Sequence, residues 1–367
     1  MTAMTEQPSR TPTRPRENLI VDAREIVKEF PARNVSDSSI VKALRGVDFS
    51  LARGEAAALI GESGCGKTTL GRILVGLETP TSGQLLIGGL DTARASGADR
   101  RRAFQRLQMV HQDPYSALNP ASTIEDSLRP ALLVHAGLTG IPRSHRARYA
   151  GERIVELLEL VGLDPASVID KYPHKLSGGQ RQRVCIARSL ITEPDVLIAD
   201  EAVSMIDVSL RLGILNVFKS LRKELGVALL FITHDVATAR YIGPEGTVHV
   251  IYRGRVVEQG PTDEIIQHPV HPYTQCLLSA IPVMRGVETD GPDRLLPTAG
   301  PEVHRTADGD ADCAFARRCP LVQDACRTRI PPLVPVGDAG GHDHRCLYPQ
   351  VRNVLPQPMG VDEDAQL

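Results

Sequence analysis

The sequence has no apolar run of the roughly 18 residues that a membrane-spanning helix needs, although 42% of its 367 residues are hydrophobic. It has no excess of either charge, since 42 Lys and Arg residues nearly balance 44 Asp and Glu residues. Because nucleic-acid binding usually needs a basic surface, neither DNA nor RNA is expected as a partner. The opening residues lack the apolar segment of a secretory signal. We therefore expect a flexible first segment on a soluble or peripheral protein of the cytosol.

Short apolar runs alternate with helical periodicity from about residue 19 to residue 260, which is typical of an α/β domain with a largely parallel sheet. The predicted buried strands are Ala56–Ile60, Leu107–Val110, Asp195–Ala199, Ala228–Thr233 and Thr247–Tyr252. Over 80 residues with helix-like spacing separate the second strand from the third and indicate an inserted helical subdomain. Ten of the 27 prolines follow residue 282, so no long helix or central strand is expected there.

A phosphate-binding loop is indicated by GESGCGKTT, which matches the pattern G-x-x-x-x-G-K-[ST] and lies between a predicted strand and a helix. Glycines let the backbone surround the β- and γ-phosphates, Lys67 adds a positive charge, and the Thr68 hydroxyl can reach Mg²⁺. The following helix is expected to present Leu70, Ile73, Leu74 and Leu77 on one face. The predicted ATP-binding residues in the loop are Gly61, Glu62, Ser63, Gly64, Cys65, Gly66, Lys67, Thr68 and Thr69.

Two carboxylates, Asp200 and Glu201, follow the apolar run Asp195–Ala199. An acidic strand end is usually only a solvated terminus, but a phosphate loop earlier in the same predicted domain favours a catalytic pair. Asp200 is then placed to reach Mg²⁺, and Glu201 to accept a proton from an attacking water. The sequence therefore predicts a nucleotide-hydrolysing site.

The run LSGGQRQR at Leu176–Arg183 resembles the signature of ATP-binding cassette (ABC) ATPases. A Ser-Gly-Gly before a helix can direct a hydroxyl and backbone N–H groups at a γ-phosphate. In that superfamily the phosphate belongs to ATP held by the other subunit. The resemblance therefore implies a head-to-tail pair of cassettes, with the partner's ATP contacted by Leu176, Ser177, Gly178, Gly179, Gln180 and Asp207.

Further single residues resemble conserved elements of the same superfamily. Gln112 resembles the Q-loop glutamine that contacts Mg²⁺ and the attacking water, and His234 resembles the switch histidine that contacts the γ-phosphate. Phe30 resembles the aromatic residue that stacks on adenine. The resemblance thus implies a catalytic set of Glu201, His234 and Gln112, with Mg²⁺ held by Thr68, Gln112 and Asp200.

The D-loop departs from the superfamily pattern. Ala202 replaces the common proline after the catalytic glutamate, and Met205 and Ile206 replace the usual alanine and leucine. The departures leave the charged and hydroxyl groups of the D-loop unchanged. They are therefore expected to affect local packing and communication between subunits more than catalysis.

The runs QDPYSALNP, DVSLR and HPYTQCLLSAIP are similar to the ATPases of oligopeptide and dipeptide importers, the peptide/nickel branch of bacterial ABC transport. The resemblance covers about residues 19 to 347. It implies a P-loop ABC cassette at 18–262, with a RecA-like core, a β subdomain and a helical subdomain at about 113–190. An importer C-terminal region with a cysteine cluster follows at 263–350, and flexible tails are expected at 1–17 and 351–367.

The same resemblance implies a peripheral subunit on the cytoplasmic face of the cell membrane. It would dock on two transmembrane permease subunits through a groove near the Q-loop and the helical subdomain. It would pair with a second ATPase subunit, more often a paralogue than a second copy, and act indirectly with an extracytoplasmic solute-binding protein. Oligopeptides or dipeptides are the solutes implied.

A different class of function is a soluble ABC ATPase that acts in repair, at the ribosome or in cluster assembly. Such proteins usually carry two cassettes in one chain, a long coiled coil or inserted zinc modules. The sequence shows none of these features, which favours the importer.

Four of the seven cysteines lie within 34 residues, at Cys313, Cys319, Cys326 and Cys346. In a cytosolic protein such a cluster indicates metal or chemistry before disulfides. Four thiolates suit zinc or a [4Fe–4S] cluster, and the spacing does not decide between them; four reduced, packed thiols are the alternative without a metal. The resemblance implies the [4Fe–4S] cluster. Because the cysteines already fill four positions, His342 and His344 are expected to be exposed.

Overall fold

The computed structural model describes residues 18–31, 40–280, 288–289, 312–337, 341–352, 354 and 357–358. The predicted tail at 1–17, most of that at 351–367, and the last two residues of HPYTQCLLSAIP lie outside the described residues.

The chain alternates strands and helices as the periodicity predicts. The strands are β1 (Leu19–Pro31), β2 (Ile40–Ala52), β3 (Ala56–Ile60), β4 (Ser82–Ile87), β5 (Leu90–Asp91), β6 (Leu107–Val110), β7 (Val196–Asp200), β8 (Ala228–Thr233), β9 (Thr247–Tyr252), β10 (Arg255–Pro261), β11 (Glu288–Thr289), β12 (Val334–Pro335), β13 (Asp343–His344) and β14 (Gln357–Pro358). The helices are α1 (Lys67–Leu74), α2 (Gly97–Gln105), α3 (Pro114–Ala117), α4 (Ile124–Leu138), α5 (Arg146–Leu160), α6 (Pro165–Val168), α7 (Gly178–Ser189), α8 (Val208–Leu225), α9 (Val236–Ile242), α10 (Thr262–Gln267) and α11 (Pro272–Ser279).

The main sheet has the strand order β12-β13-β10-β9-β3-β8-β7-β6. Its five strands from β9 to β6 are parallel, while β10, β13 and β12 extend one edge in antiparallel fashion. The β3, β7 and β8 strands are buried along their whole length, as expected for parallel strands covered on both faces. This core confirms the α/β expectation.

Alternating residues of the central strands supply two different apolar cores. Leu197 and Leu229 face a core shared with the helices of the region between β6 and β7. Ile198 and Leu230 face the opposite core, which includes α1 and the separate antiparallel sheet β2-β1-β4-β5. The sheet therefore separates a helical layer from a β layer. The domain boundaries drawn from the sequence stay predictions.

The predicted strands are confirmed, with the third displaced by one residue at each end to β7. The predicted apolar face of α1 is wrong in one position. Leu70, Ile73 and Leu74 are buried, but α1 ends at Leu74, and Leu77 is 54% exposed.

The expectation that His342 and His344 are exposed is wrong, since they are only 8% and 5% exposed. The β13 strand pairs with β10 and brings both beside Glu258, whose side chain is fully buried. Glu258 accepts hydrogen bonds from the backbone N–H groups of Val270 and His271, at 2.7 and 3.0 Å, and lies 2.8 Å from His342 Nε2. Burial lowers the pKa of His271 to about 4, so its imidazole is neutral at neutral pH. The carboxylate thus joins β10 to two segments of the C-terminal region, one at Val270 and His271 and the other at His342.

Among the described residues, no helix is both long enough and apolar enough to cross a bilayer.

We expect Glu258→Ala to lower the free energy of unfolding by about 3 kcal/mol or more, because two backbone N–H groups and one imidazole lose a buried acceptor. Glu224→Ala, at an exposed position of α8, is the control and should change stability by less than about 0.5 kcal/mol. Chemical denaturation measures both. Equal midpoints for the two variants would contradict the bracing role of Glu258.

Candidate functional site

The phosphate loop connects β3 to α1 by a backbone path that requires glycine at two positions. Gly61 has φ 157° and Gly66 has φ 107°, both in the region that L side chains avoid. A Cβ atom on Gly61 would lie 2.2 Å from the Ile251 carbonyl oxygen, and one on Gly66 would lie 2.5 Å from that of Ala43. The loop is therefore shaped by close backbone approach as well as by its own sequence.

Lys67 is the first residue of α1, and its side chain turns back over the phosphate loop. Its ammonium donates to the carbonyl oxygens of Gly61 and Glu62, at 2.7 and 2.8 Å, and lies 3.8 Å from Cys65 Sγ. Burial raises the pKa of the Cys65 thiol, so this cysteine is a neutral group in the loop. The ammonium is thus held among loop atoms, where a phosphate would meet it.

Thr68 and Asp200 meet across the sheet, although 132 residues separate them in the chain. The Thr68 hydroxyl donates to Asp200 Oδ1 at 3.0 Å. Asp200 is 7% exposed, and burial raises its pKa, an effect that the Thr68 hydrogen bond opposes. Hydroxyl and carboxylate oxygens are the ligands that Mg²⁺ prefers, so these residues fit that ion.

Glu201 lies at the end of β7 in a left-handed conformation with φ 47°, which is uncommon for a residue with a side chain. Its backbone N–H donates to the Ile232 carbonyl oxygen at 2.9 Å, which holds this conformation in place. Gln112 Nε2 donates to Glu201 Oε2 at 3.2 Å, and His234 Nδ1 lies 3.4 Å from Glu201 Oε1. The structure therefore brings the three residues of the predicted catalytic set together.

The segment after Gln112 is tied to α7, the helix that the signature begins. Asp113 caps α3, and Arg188 of α7 donates to the Ala117 carbonyl oxygen at 2.5 Å. The Arg181 guanidinium lies 3.8 Å from the centre of the Tyr115 ring, a cation–π contact. The segment that follows Gln112 is therefore packed directly against α7.

The signature residues form the N-terminus of α7. Ser177 and Gln180 make a reciprocal capping box, in which the Ser177 hydroxyl accepts from the Gln180 N–H at 3.2 Å and the Gln180 side chain accepts from the Ser177 N–H at 3.0 Å. Ser177 is exposed, and a Cβ atom on Gly178 would meet no atom within 4 Å. The fold of this chain does not require glycine at that position.

The D-loop departures have different environments. Ala202 and Ile206 are 2% and 5% exposed within the helical-side core, while Met205 is 67% exposed. Ser204 remains close to the catalytic set, because its hydroxyl accepts from Gln112 Nε2 at 3.2 Å. Two departures are thus accommodated by packing, and the third changes the surface.

Phe30 lies near the end of β1, paired with Val41 of β2. The Lys28 ammonium lies 4.8 Å from the centre of its ring, a contact that the sequence analysis missed although the two residues share a strand face. The Phe30 ring, the candidate for stacking on adenine, therefore already has a cationic neighbour.

The four clustered cysteines line one small pocket together with Phe315 and Tyr348. They are not disulfide-bonded, and burial raises the pKa of Cys319 and that of Cys346 to about 11. Among the described residues, however, no group of three or more His, Cys, Asp or Glu side chains is arranged to hold a metal ion. The four cysteines therefore line one pocket, but their geometry by itself does not support the expected [4Fe–4S] cluster.

Two contacts from the C-terminal region reach the phosphate loop and were missed by sequence analysis. Arg318 pairs with the Glu62 carboxylate, and Tyr273 accepts from the Glu62 backbone N–H. Tyr273 belongs to the HPYT run, which served only as a mark of resemblance, and no pattern marked Arg318.

Two family models match the chain: the ABC transporter family over residues 44–204, and the "Oligopeptide/dipeptide transporter, C-terminal region" over residues 257–326. A probable peptide ABC transporter ATP-binding protein of Sinorhizobium fredii is 43% identical over 300 residues, which cover 82% of this chain and 81% of that protein. The di/tripeptide transport ATP-binding protein DppF of Pseudomonas aeruginosa is 38% identical, covering 86% of this chain and 94% of the relative.

Solved structures with a similar fold include the dimeric ATP-binding cassette MJ0796 bound to ADP and Pi. It is 26% identical, with a TM-score of 0.56, over 66% of this chain and 98% of that one. The cbiO1 protein of Clostridium perfringens, part of the transporter complex cbiONQ, is 28% identical with the same TM-score, over 68% of this chain and 91% of that one.

Gly66 and Gly178 are expected to differ in how much their substitution by alanine changes the stability of the fold. Gly66→Ala should lower the free energy of unfolding by about 2 kcal/mol or more, because the added Cβ meets a backbone carbonyl at a positive φ. Gly178→Ala should leave stability within about 1 kcal/mol of the starting value, since the position is open and helical. Thermal and chemical denaturation measure both, and an equal loss in both variants would contradict this distinction.

Proposed function

The chain belongs to the family of ABC transporter ATP-binding subunits that carry the oligopeptide/dipeptide transporter C-terminal region, and on this basis we propose that it hydrolyses ATP to energise peptide import. The observation that carries the proposal is the convergence of Gln112 and His234 on the two oxygens of Glu201. That carboxylate lies beside the Thr68 and Asp200 pair at the end of the phosphate loop. The arrangement suits activation of water next to a bound γ-phosphate.

We propose that Glu201 is the general base. A water oxygen attacks the γ-phosphorus of ATP, the bond to the β–γ bridging oxygen breaks, and the water proton passes to the Glu201 carboxylate. Gln112 and His234 orient that carboxylate. Lys67 and the backbone N–H groups of the loop stabilise the charge on the phosphates.

Thr68, Asp200 and Gln112 would hold Mg²⁺, which when bound neutralises charge on the β- and γ-phosphates. Burial raises the pKa of Asp200, and the hydrogen bond from Thr68 to the same carboxylate opposes that effect.

The signature is proposed to act on ATP held by a second cassette. Ser177 is exposed at the start of α7, and the open space at Gly178 lets an anion approach the helix N-terminus. Met205 and Asp207, both exposed at the D-loop, would lie at the same interface. The dimeric cassette of similar fold supports this arrangement.

Replacement of the base tests the mechanism. Glu201→Gln should lower the rate of ATP hydrolysis at least about 100-fold, because it removes the proton acceptor while keeping side-chain size. ATP affinity should be retained, and the variant should accumulate as an ATP-bound pair of cassettes. Gly178→Ala, which is expected to fold normally, should also lose turnover but fail to pair. Unchanged turnover in Glu201→Gln would refute the assignment of the base.

The permease contact is proposed for an open groove of about 550 Å³ between the end of α1, α2 and β6. Exposed Leu77 lines it together with Arg100, Arg101 and Phe104, and it extends to His111 beside the Q-loop. An apolar floor with basic sides suits an amphipathic segment of a membrane subunit. Through that contact the subunit would lie on the cytoplasmic face of the membrane.

Purification of Glu201→Gln with ATP from detergent-solubilised membranes, followed by mass spectrometry, distinguishes the two classes of function. We expect two permeases, a second cassette and a solute-binding protein to be retained, and the permeases to be lost when Leu77→Asp is added. Only soluble partners would instead favour the non-transport ATPase.

For the cysteines we propose a [4Fe–4S] cluster, with zinc as the alternative. The support is chemical, because four sulfur donors line one pocket in a proline-rich segment. Binding requires the thiols to lose their protons and converge.

Iron, acid-labile sulfide and zinc analysis of anaerobically purified protein tests this proposal. We expect four iron and four sulfide per chain, visible absorption near 400 nm, and their loss in Cys326→Ser. Cys185→Ser, at a buried cysteine outside the cluster, is the control and should retain them. Zinc alone supports the alternative, and the absence of both metals refutes a metal site.

A further inference from the structure

The side chain of Glu62, the second residue of the phosphate loop, is held by the C-terminal region. Arg318 donates to both carboxylate oxygens of Glu62, at 2.7 and 3.0 Å, although the residues are 256 positions apart. A bidentate pair of this kind is the strong and directional form of ion pair. The Arg318 side chain is 11% exposed and that of Glu62 is 30% exposed, so water screens the pair only in part.

The backbone of the same residue is held by a second group. The Glu62 N–H donates to the Tyr273 hydroxyl at 2.8 Å, while the Glu62 carbonyl oxygen accepts from the Lys67 ammonium at 2.8 Å. Tyr273 is 1% exposed. Glu62 is therefore fixed through its N–H, its carbonyl and its carboxylate.

Aromatic packing makes both anchors rigid. Tyr273, Tyr252 and Phe315 form one cluster, with ring centres 4.6 to 5.5 Å apart. The Arg318 guanidinium lies 5.8 Å and 5.9 Å from the centres of Tyr252 and Phe315, which adds cation–π attraction. The hydrogen-bonding fork of Arg318 is thus oriented before any ligand binds.

The charge of Glu62 explains why the pair matters for nucleotide. ATP brings about four negative charges to this loop, and an unpaired carboxylate within it would repel them. Arg318 neutralises that carboxylate and at the same time fixes the loop that must present its N–H groups to phosphate. We propose that Arg318 and Tyr273 are positioning residues for ATP binding, through which the C-terminal region sets the nucleotide affinity of the cassette.

The proposal needs only that Gly61–Thr69 binds nucleotide, so it stands apart from peptide import. It also differs from a purely structural brace, because it predicts that loss of Arg318 is repaired by removing the charge that Arg318 neutralises. A brace would instead make Glu62→Ala as harmful as Arg318→Met, and the double variant would bind ATP no better than either single variant.

A double-mutant cycle on the full chain tests the proposal, with ATP affinity measured by titration calorimetry. Arg318→Met should raise the Kd for ATP about tenfold, the effect expected for loss of a charge-assisted pair. In a Glu62→Ala background the same substitution should change the Kd by less than about twofold, because no carboxylate remains to be neutralised. Arg318→Lys should recover part of the loss by restoring the charge without the fork.

Two controls and a second readout make the outcome decisive. Arg327→Met removes an equal charge from an exposed position of the same cysteine-containing segment and should leave the Kd unchanged. Tyr273→Phe removes only the hydroxyl and should weaken binding about threefold. Steady-state ATPase activity should show a raised KM with little change in kcat. Additive losses in the cycle, a double variant that binds ATP as weakly as Arg318→Met, an unchanged Kd in Arg318→Met, or an equal effect in Arg327→Met would overturn the proposal.

Discussion

The site depends on one geometrical constraint, which is that parallel strands end at the same edge of their sheet. The adjacent strands β3, β8 and β7 deliver the phosphate loop, His234 and the carboxylates of Asp200 and Glu201 to one line. Alternate residues of these strands pack into different cores, so a one-residue shift in register would exchange the side chains of the two faces and disrupt both cores. Residues distant in the chain are therefore held at hydrogen-bonding distance.

The parallel strands also hold Asp200 and Glu201 in states that would be unfavourable in isolation. The left-handed backbone of Glu201 is stabilised by a hydrogen bond to β8, and its side chain is held by Gln112 and His234. The buried carboxylate of Asp200 accepts a hydrogen bond from the Thr68 hydroxyl. The strain and burial of these acids are thus balanced locally, as is common where chemistry takes place.

The C-terminal region is joined to the cassette by polar groups as well as by apolar packing. The Glu258 carboxylate contacts the His271 N–H and the His342 imidazole on one side of this region. On the other side, Arg318 binds the Glu62 carboxylate of the phosphate loop. His342 and His344 are buried beside β10 and serve the fold, although they were expected to be exposed because four cysteines already filled the ligand positions. The cysteine pocket lies between these two attachments and shares His271 and Phe315 with them.

The sequence by itself determined the α/β alternation, the five central strands, the phosphate loop and the acidic strand end, because these depend on local periodicity and on short motifs. Tertiary structure alone decided the partners of Glu62, the burial of His342 and the exposure of Leu77 and Met205. Such features depend on contacts between segments far apart in the chain, which no local pattern encodes. The convergence of Gln112, Glu201 and His234 lies between the two, since family resemblance named the residues and only the folded sheet brought Gln112 and His234 within 3.4 Å of the Glu201 carboxylate oxygens.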